Sequence, residues 1–265
     1  MTANRARSEA EIVVVLRAAG CVFAEDEAAI ILAEASSPVE LDDMVRRRVA
    51  GDPLEVIVGW AEFCGLRVAI DPGVFVPRHR TEFLVAKAIG LAAPDAIVVD
   101  LCCGSGALGM ALKSAVPGVR LAAADIEAAA VACARRNLAG IGEVFEGDLF
   151  GPLPHRLRGG VELLLVNAPY VPSAEVERMP PEARLHEPHV ALDGGNDGLD
   201  VHRRVAAEAS DWLAPGGTLL IETSEGQAGE ALDILRGNGL DARAEYSEDY
   251  DATVVLGSRL APRES

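Results

Sequence analysis

The chain is poor in positive charge. Lysine occurs only at Lys87 and Lys113, and 24 lysine and arginine residues face 41 aspartate and glutamate residues, for a formal net charge of −17. Such a field repels phosphate backbones, so binding to a nucleic acid would need a strong local basic patch. The only obvious cluster is Arg46-Arg47-Arg48, and a solvated helix end explains it better than a nucleic-acid contact. The composition therefore disfavours a nucleic-acid partner.

Long apolar runs and paired cysteines are also missing. No run approaches the length of a membrane span, and Met1 to Arg7 is polar, without the apolar core of a signal peptide. The five cysteines form no Cys-x-x-Cys pair and the five histidines show no ligand spacing, which argues against a disulfide framework and a metal site. We therefore expect a cytoplasmic protein with no membrane association and no bound metal.

The N-terminal part of the chain has the pattern of short helices. Half of the 265 residues are hydrophobic, enough for one sizeable core and a small second domain. Helical periodicity covers Glu11 to Leu16 and Glu25 to Ala35, and Ser37-Pro38 supplies an N-cap and a proline at the first helical position. Trp60 to Ile70 alternates like a short hairpin. These features predict a helical domain with a hairpin linker over residues 1–75.

From Ala96 onward, the pattern changes to short buried strands that alternate with helices. The predicted strands are Ile97 to Asp100, Val119 to Ala124, Glu143 to Glu146, Val161 to Val166, Thr218 to Glu222, Leu240 to Tyr246 and Thr253 to Leu256. No helix separates the last two, which is typical of an antiparallel edge on an otherwise parallel sheet. We therefore predict an α/β domain over residues 76–265 with a doubly wound sheet and an antiparallel last strand.

A glycine-rich segment joins the first of these strands to its helix. Glycine allows a ligand to approach the backbone closely, and a helix N-terminus favours negative groups. Asp125 lies 19 residues beyond Gly106, at the end of the next strand, where an acid can hold ribose hydroxyls. This arrangement fits NAD and S-adenosylmethionine equally well, and a tight turn without a ligand stays open. The candidate cofactor residues here are Asp100, Cys102, Cys103, Gly104, Ser105, Gly106 and Asp125.

Two further candidates for cofactor binding follow the strand Glu143 to Glu146. The carboxylate of Asp148 could accept a hydrogen bond from an adenine amino group, and Leu149 could pack on the ring. An ordinary turn aspartate explains the same residues equally well. The adjacent Cys102 and Cys103 are interpreted as small residues that line the loop rather than as a redox pair.

The four residues Asn167-Ala168-Pro169-Tyr170 follow the buried strand Val161 to Val166. The Asn167 side-chain oxygen and the Ala168 carbonyl could each accept one N–H of a planar NH2 group, and the Tyr170 ring could lie against that group. Methyl transfer from a sulfonium needs alignment more than acid or base, because the donor is already activated. We therefore predict that Asn167, Ala168, Pro169 and Tyr170 are catalytic and that Asn167 also borders the cofactor, although a plain turn would explain the motif taken alone.

Together these motifs resemble the HemK/PrmC family of S-adenosylmethionine-dependent protein-glutamine N5-methyltransferases, which modify peptide-chain release factors. The similarity covers about residues 41 to 257 and includes Val76-Pro77-Arg78 before Thr81-Glu82, and Glu222 with Gln227. It implies a Rossmann-like class I methyltransferase sheet, with S-adenosylmethionine held by the residues named above. It further implies a release-factor Gly-Gly-Gln loop at the Asn-Ala-Pro-Tyr motif, docked with help from the N-terminal helices. The oligomeric state is not predicted.

Several positions depart from the family pattern. Ala168 replaces the first proline of Asn-Pro-Pro-Tyr, His79-Arg80 replaces a proline–acid pair, and Thr223-Ser224 replaces an Ile-Gly pair. Ala168 still supplies a carbonyl, so the departures bear on the acceptor more than on the chemistry. The alternatives are a paralogue that methylates another protein, a nucleobase or a small molecule, and an inactive cofactor-binding interaction module. A nicotinamide dehydrogenase ranks below these because it has no use for the Asn-x-Pro-Tyr motif.

Overall fold

The N-terminal part of the chain is helical, as predicted. The computed structural model describes residues 7–179 and 181–261. Ser8 and Glu11 form a capping box at the start of the first helix, and the Ser37 side chain accepts a hydrogen bond from the Glu40 backbone at the start of the third. The four helices are α1 (Glu9–Ala18), α2 (Ala24–Glu34), α3 (Pro38–Val49) and α4 (Leu54–Val58).

These helices enclose a small apolar core of their own, which includes Ile12, Leu16, Ile31 and Leu41. A buried ion pair borders this core: Arg48 Nε and Nη2 donate to the two carboxylate oxygens of Glu27 over 2.6 and 3.0 Å. The fork geometry satisfies both oxygens, which a buried charge pair requires.

The arginine triplet differs from the solvated helix end that the sequence suggested. Arg46 is exposed and pairs with Asp43, whereas Arg47 pairs with Asp52 over 2.7 Å and Arg48 is 9% exposed. All three guanidinium groups therefore have acidic partners within the N-terminal helices and the turn that follows them. The triplet does not form a free basic patch.

A hairpin of β1 (Trp60–Phe63) and β2 (Leu66–Ala69) follows the helices, as predicted. Cys64 and Gly65 at its turn both have positive φ, 50° and 72°. The buried side chains of Phe63 and Val68 pack into a core shared with the main sheet rather than with the N-terminal helices. The division into two domains at residue 75 stays a prediction. The packing of the hairpin places it with the domain that contains the main sheet.

The main sheet of the described residues has seven strands in the order β5-β4-β3-β6-β7-β9-β8. The first five strands of this sheet along the chain, β3 to β7, are parallel, and β9 pairs antiparallel to both β7 and β8. This arrangement confirms the predicted doubly wound sheet with an antiparallel end. The strands are β3 (Ile97–Leu101), β4 (Arg120–Asp125), β5 (Gly142–Glu146), β6 (Val161–Val166), β7 (Leu213–Thr223), β8 (Leu240–Ser247) and β9 (Ala252–Arg259).

Helices cover both faces of the sheet. One buried cluster joins a face to α5, α6 and the end of α7, and another joins the opposite face to α10 and α11. None of the helices in the described ranges is long and apolar enough to cross a membrane. The bounds are α5 (Glu82–Leu91), α6 (Ala107–Ala115), α7 (Ala128–Asn137), α8 (Ser173–Val176), α9 (Pro181–His186), α10 (Asp200–Trp212) and α11 (Ala228–Gly237).

Strand β7 begins five residues earlier than the prediction. It starts at Leu213 and includes Pro215-Gly216-Gly217, which reads as a turn in the sequence. The register with β6 shifts between Val161 and Leu163, and a Cβ on Gly217 would lie 2.5 Å from the Val161 carbonyl oxygen. Glycine therefore allows the close approach of two strands at an irregularity in the sheet.

The order in which the strands are added to the sheet reverses between β3 and β6. From β3, the chain builds outward through β4 and β5, and it returns to place β6 on the other side of β3. Leu101 pairs with Val166 across these two strands, so the segments that begin at Cys102 and Asn167 leave the sheet side by side. Such a switch point is where open α/β sheets bind ligands.

Candidate active site

A cavity of about 310 Å³ lies at the carboxyl ends of β3, β4 and β6. Most of the candidate residues from the sequence line it, so the fold brings the two ends of the predicted site together. Asp100 and Gly106 do not line the cavity. The predicted residues that do are Cys102, Cys103, Gly104, Ser105, Asp125, Asp148, Leu149, Asn167, Ala168, Pro169 and Tyr170.

Asp100 lies fully buried beneath the glycine-rich loop. Its Oδ2 accepts a hydrogen bond from the Gly109 backbone over 3.0 Å, and its Oδ1 has no partner in the described part of the chain. Burial raises the pKa of Asp100 to about 7, against the opposing hydrogen bond from Gly109. This carboxyl ties the end of β3 to α6, and its contact with a cofactor stays a prediction.

Gly106 fixes the position of the same loop from the other side. Its φ is 79°, and a Cβ there would lie 3.0 Å from Leu138 Cδ1. Glycine is therefore required both for the left-handed turn and for close packing against the end of α7.

Asp125 holds the loop to β4 while keeping acceptor capacity toward the cavity. Its Oδ2 accepts from the Gly104 backbone over 2.8 Å, and its Oδ1 accepts from the Glu127 backbone over 2.9 Å. Burial raises its pKa, and these backbone hydrogen bonds offset part of the rise. A carboxylate has about four lone-pair sites, so each oxygen can accept one more hydrogen bond, as a pair of ribose hydroxyls requires.

Cys102 and Cys103 are free cysteines in the loop. Cys102 has a φ of 55°, an uncommon value for a residue with a side chain. Burial raises the pKa of both thiols, with the neighbouring aspartates adding to the effect. Both therefore remain protonated and poorly nucleophilic at neutral pH, in keeping with loop-lining residues.

At the far side of the cofactor end, Asp148 forms an ion pair with Arg204 of α10 over 2.5 Å. This partner was not predicted from the sequence. Leu149 follows with a φ of 46° and is largely buried at the cavity wall. A carboxylate that accepts from Arg204 keeps lone pairs for a further donor, so the pair is compatible with the predicted adenine contact.

The Asn167 side chain is oriented by a residue far away in the sequence. Its Nδ2 donates to Thr81 Oγ1 over 3.3 Å, across 86 residues of chain, and Thr81 is fully buried. Within the described ranges, neither Asn167 Oδ1 nor the Ala168 carbonyl accepts a hydrogen bond. Two consecutive residues of the cavity lining therefore each have an acceptor oxygen without a hydrogen-bond donor in the described ranges.

Tyr170 is fixed by a buried carboxylate at the end of β7. Its hydroxyl donates to Glu222 Oε1 over 3.1 Å, and Glu222 is 2% exposed. Burial raises the pKa of Glu222, while the Thr81 and Tyr170 hydroxyls and the Arg80 charge oppose the rise. Burial and the Glu222 charge also raise the pKa of the Tyr170 phenol, which therefore stays a hydrogen-bond donor.

A loop over residues 193–199 packs against the backbone of residues 167–170, which we call the acceptor loop. Gln227 Nε2 donates to the Tyr170 and Asp197 carbonyls, each over 2.9 Å. Gly198 has a φ of 82°, and a Cβ there would lie 2.2 Å from the Tyr170 carbonyl oxygen. The loop can approach this closely only because the position carries no side chain.

Sequence reasoning did not place Thr81, Glu222 or Gln227 in the site. All three lie in stretches that resemble family motifs, but nothing local to them indicates a contact with the Asn-Ala-Pro-Tyr segment. Glu222 carried the clearest signal, an acid at the carboxyl end of an apolar strand. Arg78, Arg80 and Arg204 also line the cavity without having been predicted to do so.

A Rossmann-like sheet with a cavity at its switch point and paired acceptors after β6 defines the class of the protein as a methyltransferase. Residues 65–184 match the family model of the methyltransferase small domain. The crystal structure of a methyltransferase from Pyrococcus furiosus shares the fold, with a TM-score of 0.57 at 13% identity, over 74% of this chain and 90% of that chain.

Curated relatives narrow this class to one family. The release factor glutamine methyltransferase of Geobacter sulfurreducens is 39% identical over 220 residues, which cover 82% of this chain and 76% of the relative. The 4-amino-L-phenylalanine/4-methylamino-L-phenylalanine methyltransferase of Streptomyces pristinaespiralis is 36% identical over 275 aligned residues, which cover 99% of this chain and 91% of the relative. The chain belongs to the HemK/PrmC family of release factor glutamine methyltransferases.

Proposed function

We propose that the enzyme transfers a methyl group from S-adenosylmethionine to the side-chain amide nitrogen of a glutamine in a peptide-chain release factor. The observation that carries this proposal is the pair of unpaired acceptors, Asn167 Oδ1 and the Ala168 carbonyl. A primary amide presents two N–H groups in one plane, and this pair matches them. The family relationship to release factor glutamine methyltransferases supports the choice of acceptor.

The residues at the cofactor end fit S-adenosylmethionine. The loop from Cys102 to Ser105 forms one wall of the cavity, and a Cβ on Gly104 would meet nothing within 4 Å, so the loop backbone is open to a ligand there. Asp125 would hold the ribose hydroxyls, and Asp148 with Leu149 would border the adenine. When bound, the cofactor supplies a methyl group on a cationic sulfur, already activated for transfer.

At the acceptor end, the chain aligns a weak nucleophile. An amide nitrogen shares its lone pair with the carbonyl, and positive charge develops on it as the methyl group arrives. Asn167 Oδ1 and the Ala168 carbonyl would accept its two N–H groups and stabilise that charge. Tyr170, fixed through its hydroxyl to Glu222, would hold the planar group in place. Pro169 restrains the backbone at Ala168, which offsets the loss of the usual proline.

The direct test is incubation of the enzyme with a release factor and isotopically labelled S-adenosylmethionine, followed by mass spectrometry of the Gly-Gly-Gln peptide. We expect one labelled methyl group on the glutamine side chain. An unmodified peptide would refute the proposal if calorimetry on the same preparation shows that S-adenosylhomocysteine binds.

A second candidate acceptor is the aromatic amine of a free amino acid such as 4-amino-L-phenylalanine. The relative with this activity aligns with 99% of the chain, including the N-terminal helices. Like an amide, an aromatic amine has a delocalised lone pair and two N–H groups, so it would suit the same acceptors. Parallel assays with 4-amino-L-phenylalanine and with release factor decide between the two, because the favoured acceptor will show the larger kcat/KM.

The remaining expectations concern the partner and the compartment. In the leading proposal, the N-terminal domain over residues 1–75 helps dock the release factor, whose recognition needs more surface than one glutamine provides. We place the reaction in the cytoplasm, which suits the free thiols of the described cysteines. Deletion of α1 to α4, which enclose a core of their own, should weaken release-factor binding while retaining affinity for S-adenosylhomocysteine.

A further inference from the structure

Arg80 differs from the other arginines that line the cavity. Arg78 pairs with Glu187 over 2.6 Å and Arg204 pairs with Asp148 over 2.5 Å. Arg80 is exposed and lines the same cavity, but no carboxylate lies within ion-pair distance of it among the residues that the structure describes.

Arg80 lies at the acceptor end of the cavity, not at the cofactor end. It directly precedes Thr81, whose hydroxyl orients the Asn167 amide. Its charge acts on Tyr170 and on Glu222, lowering the pKa of each in part. Arg80 thus lines the cavity near Tyr170 and Glu222, on the side of the acceptor loop.

Neutralisation of Glu222 does not account for Arg80. The Glu222 carboxylate already accepts from Tyr170, is 2% exposed, and makes no ion pair with Arg80 in the described residues. The guanidinium is therefore available to a ligand, and its planar fork of donors matches a carboxylate.

We propose that Arg80 binds a carboxylate carried by the methyl acceptor and so determines which acceptor the enzyme selects. This inference rests on the proposed function and names a property of its substrate. The carboxylate has two possible sources, the α-carboxylate of a free amino acid and an acidic side chain near the glutamine of a protein acceptor. Arg80 carries a positive charge where the family pattern has an acid. We therefore expect this enzyme to prefer a methyl acceptor with a negative charge at that place, unlike members that keep the acid.

The test compares Arg80→Gln with the wild type on three acceptors: 4-amino-L-phenylalanine, its decarboxylated analogue 4-(2-aminoethyl)aniline, and release factor. Loss of a charge-assisted hydrogen bond should raise KM for a carboxylate-bearing acceptor about tenfold to a hundredfold, with kcat nearly unchanged. The decarboxylated analogue should show no change. Arg156→Gln, which removes an exposed charge outside the cavity lining, is the matched control, and Arg80→Lys should restore part of the loss.

The outcomes separate the sources of the carboxylate. A rise in KM for 4-amino-L-phenylalanine alone assigns the carboxylate to a free amino acid, and a rise for release factor alone assigns it to the protein. An unchanged KM for both overturns the inference. An equal loss of kcat on all three acceptors also overturns it, because Arg80 would then act through Glu222 or the fold.

A binding measurement separates this inference from the proposed function. Calorimetry with S-adenosylhomocysteine-loaded enzyme needs no turnover and compares 4-amino-L-phenylalanine with its decarboxylated analogue. If no acceptor is methylated but the carboxylate-bearing ligand binds more tightly to the wild type than to Arg80→Gln, the proposed function fails and the role of Arg80 stands. Equal affinity of the wild type for the two ligands excludes a free amino acid as the source of the carboxylate, and an unchanged KM for release factor in Arg80→Gln then refutes the role of Arg80.

Discussion

At the scale of single residues, the acceptor site depends on which way the Asn167 amide faces. The donor end of that amide is held by Thr81 Oγ1 over 3.3 Å, which leaves the oxygen for the substrate. A rotated amide would present an N–H to the N–H groups of the acceptor and repel them. Thr81 is therefore a positioning residue, although it is buried and does not line the cavity.

Replacing Thr81 by valine tests this role. The two side chains have the same shape, so the buried position keeps its packing but loses the hydroxyl. Loss of one orienting hydrogen bond should lower kcat about tenfold, while the Kd of S-adenosylhomocysteine stays unchanged. Steady-state kinetics and calorimetry measure the two quantities. Thr81→Ser should recover most of the rate, and a Thr81→Val enzyme with normal kcat would contradict the assignment.

Asp100 should make stability depend on pH. Because burial raises its pKa in the folded protein to about 7 from its ordinary value of 3.8, folding takes up a proton, and the stabilising contribution is complete only at acidic pH. The unfolding free energy of the cofactor-free protein should fall as the pH rises from about 4 through about 7. In Asp100→Asn, this slope should become shallower, as measured by urea unfolding across the range. Asp241→Asn, at an exposed position on β8, should leave the slope as it is; an equally steep slope in Asp100→Asn would refute the assignment.

The sequence predicted the residues of the site better than their interactions. Asn167, Ala168 and Tyr170 carry a local signal, since they follow an apolar strand and have the chemistry for a planar NH2 group. Thr81 and Glu222 carry none that identifies their partners, because their contacts join segments 86 and 52 residues apart from the motif. The ion pair of Asp148 with Arg204 could not be predicted for the same reason, since its partners lie 56 residues apart.

At the scale of elements, the acceptor loop is shaped by the loop over residues 193–199 that packs against it. Two glycines of that loop lie against the backbone of the acceptor loop. A Cβ on Gly194 would lie 2.7 Å from the Pro169 carbonyl oxygen, and one on Gly198 would lie 2.2 Å from the Tyr170 carbonyl oxygen. These contacts confine the backbone at Pro169 and Tyr170, directly after Ala168. The geometry of one loop thus depends on the other.

Gly198→Ala and Gly216→Ala form a matched pair that tests this contact. Both glycines have a φ of 82°, so both substitutions impose similar backbone strain, but only the Cβ at 198 meets the acceptor loop. We expect kcat to fall about a hundredfold in Gly198→Ala, since a displacement of about 1 Å at the reacting groups has that effect. Gly216→Ala should retain the wild-type kcat. Equal rates in the two variants would show that the loop contact does not position the acceptor.

The ends of helices and strands were predicted correctly where the hydrophobic periodicity and the capping or turn residues indicated the same boundary. Strand β6 matches its predicted bounds, and α3 begins at the predicted Ser37-Pro38 cap. The early start of β7 could not be predicted, because Pro215-Gly216-Gly217 has turn chemistry. It lies in the strand only because β7 pairs with β6 on either side of it, at Leu213 and from Thr218 onward. Tertiary pairing overrides local preference there.

At the scale of the whole molecule, the N-terminal helices have a core separate from the two that flank the sheet. The buried pair of Glu27 and Arg48 links α2 to α3 at the border of that core. A pair of this kind is sensitive to the loss of one partner, since the remaining charge is then buried alone.

Arg48→Met should lower the unfolding free energy of the helical part by about 3 kcal/mol, because it leaves Glu27 without its bidentate partner. The double variant Glu27→Leu/Arg48→Met should recover to within about 1 kcal/mol of the wild type, since no buried charge remains. Urea unfolding followed by circular dichroism measures both. A double variant less stable than Arg48→Met would contradict this view of the pair.

The central claim is that Asn167 holds the amide nitrogen that receives the methyl group, and one measurement tests it most directly. Labelled methyl transfer to release factor is compared between the wild type and Asn167→Ala, with S-adenosylhomocysteine binding measured on both proteins. The account predicts methylation of the Gly-Gly-Gln glutamine by the wild type, its loss by at least about a hundredfold in the variant, and similar Kd values. Turnover by Asn167→Ala at the wild-type rate would contradict it.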